Sequence, residues 1–463
     1  MAIIIKFIGG VRTVTGSSHM IMTERSKVIL DAGLFLGHRD ESYAVNTTFP
    51  YNPRSIDALL VSHAHVDHCG NLPSLVKKGF NSRIYSTFAT RDLCKLMLED
   101  SGKIQEEDIR YVNKINKRMG QPPRRPLYTI KEARKVNGRF RPISYEQKFC
   151  VTKDISAVLY DAGHILGSSI IVLDIQDGQH IVRLGYAVDL GRKNLPLLND
   201  PVVPRGLDYL ILESTYGGRT HAPIEEAKGK LRDAVNRTVE RNGKIIIPAF
   251  TLERTQEVLY FLNELLREKA IPPIPVFVDS PLATDITDVF KNHLTYMNDK
   301  TRQAVADGNS PFEFLNLTFI REQRASKGLN MARRPMIIIA GNGMCEAGRV
   351  LHHLKNNIED SRNTVLVVGF MAKDTLGRRI VDRVPFVKIF GVEYQLNAEV
   401  VIINAFSGHA DKNDFLDFAG KCFPLRRIFL VHGDEEQSQA LFDAFAQKGW
   451  SPYLPAKGEE VAL

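Results

Sequence analysis

The chain is predicted to be an α/β protein, on three observations. The first ~210 residues alternate short apolar runs with turn residues, as packed sheets do. From about Glu213 the rhythm changes to longer strand–helix alternation, the signature of a parallel sheet. Strand–loop–helix units then return in the last stretch.

Taken in order, Val28-Ile29-Leu30 leads into Asp31-Ala32-Gly33, and the apolar run 58–61 leads into Ser62-His63. Runs 170–173 and 181–184 flank Asp177-Gly178, which predicts a hairpin turn. Residues 244–247 predict a buried strand. Residues 252–269 carry Val258, Phe261, Leu262, Leu265 and Leu266 on one helical face. Strands at 275–278, 336–339 and 365–368, with helices between them, continue the pattern. Residues 400–403 precede Ser407-Gly408-His409, and residues 428–431 precede His432.

A length of 463 residues predicts about two to four domains. Hydrophobic residues at 44% and charged residues at 25% exclude wholesale disorder and fibrous structure. No apolar stretch approaches the ~20 residues that cross a bilayer, so no membrane association is expected. Residues 1–7 read as a strand start without a basic-then-apolar leader, so no signal peptide is expected. The five cysteines are scattered and form no Cys-x-x-Cys, which argues for a reducing, cytoplasmic setting. The formal charge of +8 is unevenly spread. Thirteen Lys/Arg face five acids between Gly102 and Lys148, a segment able to line a polyanion's path or simply to be a solvated face.

The strongest chemical signal is His63-Ala64-His65-Val66-Asp67-His68, directly after a predicted strand and before a helix predicted from about Gly70. Three imidazoles and a carboxylate within six residues are the ligand types that suit Zn²⁺. Adjacent Asp67 and His68 point differently from His63 and His65, so two metals sharing the loop fit better than one. Further ligands are expected from other strand ends: His164 in Asp161-Ala162-Gly163-His164, Asp189 in Ala187-Val188-Asp189-Leu190-Gly191, and His432 in Leu430-Val431-His432-Gly433-Asp434.

The order Asp31, His63-x-His65-x-Asp67-His68, His164, Asp189 resembles that of the metallo-β-lactamase fold, an αββα sandwich with metals at one edge. More narrowly, the chain resembles the β-CASP group of nucleic-acid-processing enzymes. Glu213 in Leu212-Glu213-Ser214-Thr215-Tyr216-Gly217, His409 in Phe406-Ser407-Gly408-His409-Ala410-Asp411, and His432 match its further motifs. Asp279-Ser280-Pro281-Leu282-Ala283 and Thr375-Leu376-Gly377-Arg378 are similar to other landmarks of the group. The loop 62–70 is similar to that of the endonuclease subunit of the eukaryotic cleavage and polyadenylation factor and its prokaryotic relatives.

The resemblance implies a metallo-β-lactamase domain in two parts, 1–209 and 396–463, interrupted by a β-CASP α/β domain with a parallel sheet at 210–395. It implies an active site in the cleft of the two domains, hence single-stranded substrate, and it allows a homodimer. A histidine such as His432 marks the RNA-processing members, whereas DNA-repair members carry valine there. The cofactor implied is two Zn²⁺, for which Mn²⁺ could substitute. One ion falls to His63, His65 and His164, and the other to Asp67, His68 and His432, with Asp189 bridging. Two such metals supply the nucleophile and neutralise the phosphate for in-line attack. Asp31, Asp67, Glu213 and His409 are the expected catalytic residues. Asp31 orients the nucleophile or a ligand imidazole. Glu213 and His409 form a general acid for the departing 3′ oxygen. Ser407, Arg378 and Arg349 are the expected substrate-binding residues.

The expected function is therefore a zinc-dependent ribonuclease, endonuclease or 5′-exonuclease, leaving 5′-phosphate and 3′-hydroxyl ends. Three alternatives are weighed against it. A small-molecule hydrolase of the same fold needs no inserted domain and lacks the Glu213/His409 pair. A single-stranded DNA nuclease fits less well with His432. A non-catalytic RNA-binding scaffold would have lost ligands, whereas every position is filled here.

Overall fold

The computed structural model describes residues 3–463, residue 405 by its backbone alone. The chain divides into two compact units, one of residues 1–193, 200–220 and 408–463, the other of residues 194–199 and 221–407.

The first unit holds two seven-stranded sheets. In the first sheet, Glu460–Ala462, Ile4–Gly9, Ser18–Met22 and Lys27–Leu30 run antiparallel, followed by Ala58–Leu60, Arg83–Ser86 and Phe140–Pro142 in parallel. In the second sheet, Arg427–Val431, Tyr209–Glu213 and His180–Ala187 are parallel, and Ser169–Asp177 and Ile155–Asp161 continue it antiparallel. The predicted hairpin stands at Asp177-Gly178, where Gly178 takes φ 60°.

Strand alternation sends every second side chain to the same face. Ile5, Phe7, Val28 and Leu30 of one sheet accordingly share a core with Leu159, Ile171, Leu173 and Tyr186 of the other, all fully buried. Ile170, Val172, Leu210 and Leu212 point the opposite way. There they pack against Phe415 and Phe418 of the helix Lys412–Lys421 and Leu441 and Phe445 of the helix Glu435–Gln447. Two sheets face to face, with helices outside, make the expected layered sandwich.

The second unit is built on a six-stranded, all-parallel sheet ordered Leu317–Phe319, Val276–Asp279, Met336–Gly341, Lys244–Ala249, Thr364–Val367, Glu399–Ile402. Its strands are near-continuous apolar runs because helices such as Arg254–Arg267 and Arg349–Asn357 lie between them in sequence and cover the faces. No helix among the described residues is long and apolar enough to cross a membrane. All five cysteines are free thiols.

Candidate metal centre

Open sheets gather functional residues at the carboxyl ends of their parallel strands. In the first unit Asp31 follows Lys27–Leu30, His63 follows Ala58–Leu60, Asp189 follows His180–Ala187, and His432 follows Arg427–Val431. Glu213 closes its own strand. His164 follows Ile155–Asp161, which runs in the same direction as His180–Ala187 because both are antiparallel to the strand between them.

Asp31, Asp189 and His432 leave their strands with φ of 59°, 61° and 47°. A non-glycine residue held in this left-handed region costs about 1–3 kcal/mol, which the surrounding structure must offset. Two glycines allow the close approach that the centre needs. A Cβ at Gly33 would stand 1.6 Å from the Asp67 carbonyl oxygen, and one at Gly191 would stand 2.0 Å from that of Gly163. The helix expected from about Gly70 stands at Leu72–Lys77, and a separate short turn, Val66–Cys69, precedes it and ends at Gly70. Asp67 and His68 therefore sit on a helical turn and not on an extended loop, which aims them apart from His63 and His65.

Two groups of ligand atoms result. His63, His65, His164 and Asp189 each offer one atom within 4.8 Å of the others, and so do Asp67, His68 and His432. Asp189 meets both groups with different oxygens. Its Oδ2 lies 3.2 Å from His63 Nε2 and 3.3 Å from His164 Nε2, while its Oδ1 lies 3.4 Å from His68 Nε2 and 3.1 Å from His432 Nε2. Asp67 Oδ2 is 3.9 Å from the Nε2 atoms of both His68 and His432.

Buried polar atoms seldom stay without a partner. Yet His68 Nε2 and Asp189 Oδ1 have no hydrogen-bond partner among the described residues, although both side chains are almost wholly buried. Imidazole nitrogens and carboxylate oxygens converging in this way are the donor set of a divalent metal such as Zn²⁺. The residues present fit a metal in each group.

An outer layer fixes which nitrogen four of the histidines present, while His65 faces the site with Nδ1. His68 Nδ1 donates to Asp31 Oδ2 at 2.8 Å, and His164 Nδ1 donates to the Gly408 carbonyl at 3.3 Å. His432 Nδ1 meets Ser17 Oγ at 2.7 Å, and His63 Nδ1 meets Ser62 Oγ at 3.0 Å. With Nδ1 so engaged, Nε2 is left to ligate, the usual arrangement of metal-binding histidines. Asp31 also accepts from Ser62 N, Ser62 Oγ and Tyr186 Oη at 2.7, 2.7 and 2.9 Å. Burial alone would raise its pKa, but His68 and Ser62 hold it below the ordinary carboxylate value. Burial pushes the pKa of His63 down to about 4 and lowers those of His164 and His432, which keeps these imidazoles neutral.

Ser17, Ser62 and Tyr186 were not anticipated from sequence. Ser62 carries a local signal, since it precedes His63 and shares its strand end. Ser17 and Tyr186 carry none, because they act on residues 415 and 155 positions away.

Beside these groups, His409 Nδ1 lies 3.2 and 3.1 Å from the two oxygens of Glu213. Glu213 is fully buried and accepts from Leu190 N at 2.5 Å. Burial alone would lower the pKa of His409, but the Glu213 carboxylate raises it to about 9, so the ring is an imidazolium at neutral pH.

The expected substrate-binding residues Ser407, Arg378 and Arg349 belong to the second unit. Arg378 pairs with Asp382 one helical turn on, at 2.6 Å. Arg349 donates to Asp279 Oδ1 at 2.6 Å and to the carbonyls of Ile320 and Arg321, so its guanidinium holds the end of Val276–Asp279 in place. That engagement occupies its fork with protein partners. His353, buried, completes the cluster with Nε2 at 2.6 Å from Asp279 Oδ2.

Three family models match the chain. A metallo-beta-lactamase superfamily domain covers residues 20–200, a Beta-Casp domain residues 255–380, and a Zn-dependent metallo-hydrolase RNA specificity domain residues 393–455. Ribonuclease TTHA0252 of Thermus thermophilus is 34% identical over 98% of this chain and 99% of its own length. Transcription termination factor FttA of Pyrococcus horikoshii is 31% identical over 98% of this chain and 70% of its own length. Its namesake in Methanosarcina mazei is 32% identical over 93% and 66%. A crystal structure of a protein of unknown function from Enterococcus faecalis shares the fold over the full length of both chains, with a TM-score of 0.58 at 14% identity.

Proposed function

This chain belongs to the β-CASP family of the metallo-β-lactamase superfamily, and from that premise we propose that it is a zinc-dependent ribonuclease acting on single-stranded RNA. The metallo-β-lactamase domain is interrupted in sequence by the Beta-Casp domain, as expected, and the chain is a metal-dependent hydrolase. The observation that carries the finer reading is the carboxylate of Asp189, whose two oxygens serve two groups of donors.

In this reading His63, His65, His164 and Asp189 would hold one zinc, and Asp67, His68, His432 and the same Asp189 the other. Bound there, the ions would supply Lewis acidity toward water and positive charge toward the phosphoryl oxygens. Asp31 keeps His68 Nδ1 protonated and its ring oriented, with Ser62 and Tyr186 fixing the carboxylate in turn. His409, charged by its contact with Glu213, donates its proton to the departing 3′ oxygen. That polarity of cleavage leaves a 5′-phosphate and a 3′-hydroxyl. The five free thiols, with Cys150 exposed, support a cytoplasmic setting.

Labelled single-stranded RNA and DNA of one sequence, each incubated with and without a chelator, test the reading. RNA is expected to be cut to 5′-phosphate products, DNA to be cut at least about tenfold more slowly, and chelator to stop both. Equal rates on DNA, or RNA cleavage that survives the chelator, would contradict it.

A further inference from the structure

The basic stretch 102–148 is only partly neutralised: Arg124 pairs with Asp40, Arg134 with Glu99 and Lys148 with Asp174. Its remaining arginines include two that help form a distinct basic groove. We propose that Arg54, Arg83, Arg139 and Arg141 form a second RNA-binding site, which grips the phosphodiester backbone away from the metal centre. The choice of RNA as the polyanion rests on the ribonuclease reading above.

The site lies on the first unit, at the amino-terminal edge of its first sheet. Arg83 opens the strand Arg83–Ser86, and Arg139 and Arg141 flank Phe140 at the start of the neighbouring parallel strand. Arg54 stands on the turn Pro53–Ser55 with its side chain laid over Gly79, where a Cβ would come within 2.8 Å of its Nε. Two adjoining cavities of about 460 and 490 Å³ share Arg139 and Asn81; Arg83 and Arg141 line the first and Arg54 the second.

Among the described residues none of the four guanidinium groups meets a carboxylate. Arg139 donates to the Asn81 carbonyl at 2.8 Å and Arg141 to the Phe140 carbonyl at 2.9 Å, while those of Arg54 and Arg83 have no partner among the described residues. The one acid lining the cavities, Asp57, accepts from Lys27 N at 2.8 Å. Four positive charges against the single carboxylate of Asp57 leave the groove with an excess of positive charge that an anion would offset. The planar fork of arginine matches phosphate oxygens two at a time.

The groove offers no exposed aromatic ring on which a base could stack, since the aromatics lining it, Tyr85 and Phe80, are 5% and 2% exposed. It therefore reads backbone and not sequence. Asp57 at the groove and His63 at the metals are six residues apart along an extended strand, roughly 20 Å. Only an RNA long enough to span that distance engages both sites.

The test is fluorescence anisotropy on the zinc-loaded protein with long and short phosphorothioate oligouridylates that resist cleavage. It compares wild type with an Arg83→Gln/Arg139→Gln double variant and, separately, with Arg54→Gln. For the long oligomer the double variant is expected to lose about tenfold in affinity, and its salt slope to fall by roughly 0.7 per arginine removed. Arg54→Gln should show a smaller loss in the same direction, and the short oligomer should bind all three proteins alike. Unchanged affinity and slope for the long oligomer in both variants would overturn the proposal, as would a loss confined to a DNA oligomer of equal length. Binding is read without cleavage, so the two readings fail separately. A wild type that cuts nothing, with variants that lose affinity for the long oligomer, refutes the ribonuclease reading and supports the groove. A wild type that cuts, with variants that bind unchanged, refutes the groove alone.

Discussion

Replacing Asp189 with alanine is expected to remove at least one of two zinc ions per chain and to lower RNA cleavage by about 10³-fold or more. Asp189 is the one carboxylate that reaches both groups of histidine nitrogens, at 3.2 and 3.3 Å on one side and 3.4 and 3.1 Å on the other. Without it each group is left with three donors, and the buried imidazoles lose the charge that balances a divalent ion. Alanine at φ 61° also strains the backbone, whereas asparagine tolerates that conformation. Asp189→Asn is therefore the matched control, and it too should lose zinc. Elemental analysis beside a single-turnover cleavage assay reads both effects. Zinc contents close to wild type in both variants would refute the bridging role.

Replacing His409 with alanine is expected to slow RNA cleavage by about 10²–10⁴-fold while zinc content stays at the wild-type level. Both Glu213 oxygens lie within 3.2 Å of His409 Nδ1, and that contact keeps the ring protonated, so a proton is available to a poor leaving group. A phosphodiester with a nitrophenolate leaving group needs no such proton, and the variant should hydrolyse it at near the wild-type rate. Asp189, Glu213 and His409 also bring ligand atoms within 4.8 Å of one another, so a metal-binding role makes a different prediction. In that case zinc would be lost together with activity on both substrates.

These effects were partly legible in the sequence, for reasons that differ from residue to residue. His63, His65, Asp67 and His68 stand within six positions, so their shared purpose needs no knowledge of the fold. His164, Asp189 and His432 are each weak signals alone, polar residues after apolar strands, and became expected ligands only jointly with the first four, which the family resemblance then reinforced. The split of the loop into two aims depends on Val66–Cys69 being helical, a local detail that the spacing alone did not give away. Ser17 and Tyr186 had no sequence signal, because a hydrogen bond across hundreds of residues depends on the order of strands in two sheets. That order was equally hidden: the short strand Glu460–Ala462 pairs with Ile4–Gly9, which joins the far ends of the chain. The contact of Arg349 with a buried aspartate 70 positions earlier had no sequence signal either, because it too depends on the order of the strands.

The central claim is that two ions sit on either side of one carboxylate, and a crystal of the zinc-loaded protein measured at the zinc absorption edge tests it most directly. The account predicts two anomalous peaks, one against His63, His65 and His164, the other against Asp67, His68 and His432, with an oxygen of Asp189 at each. A single peak, or two peaks with Asp189 in contact with neither, would contradict it.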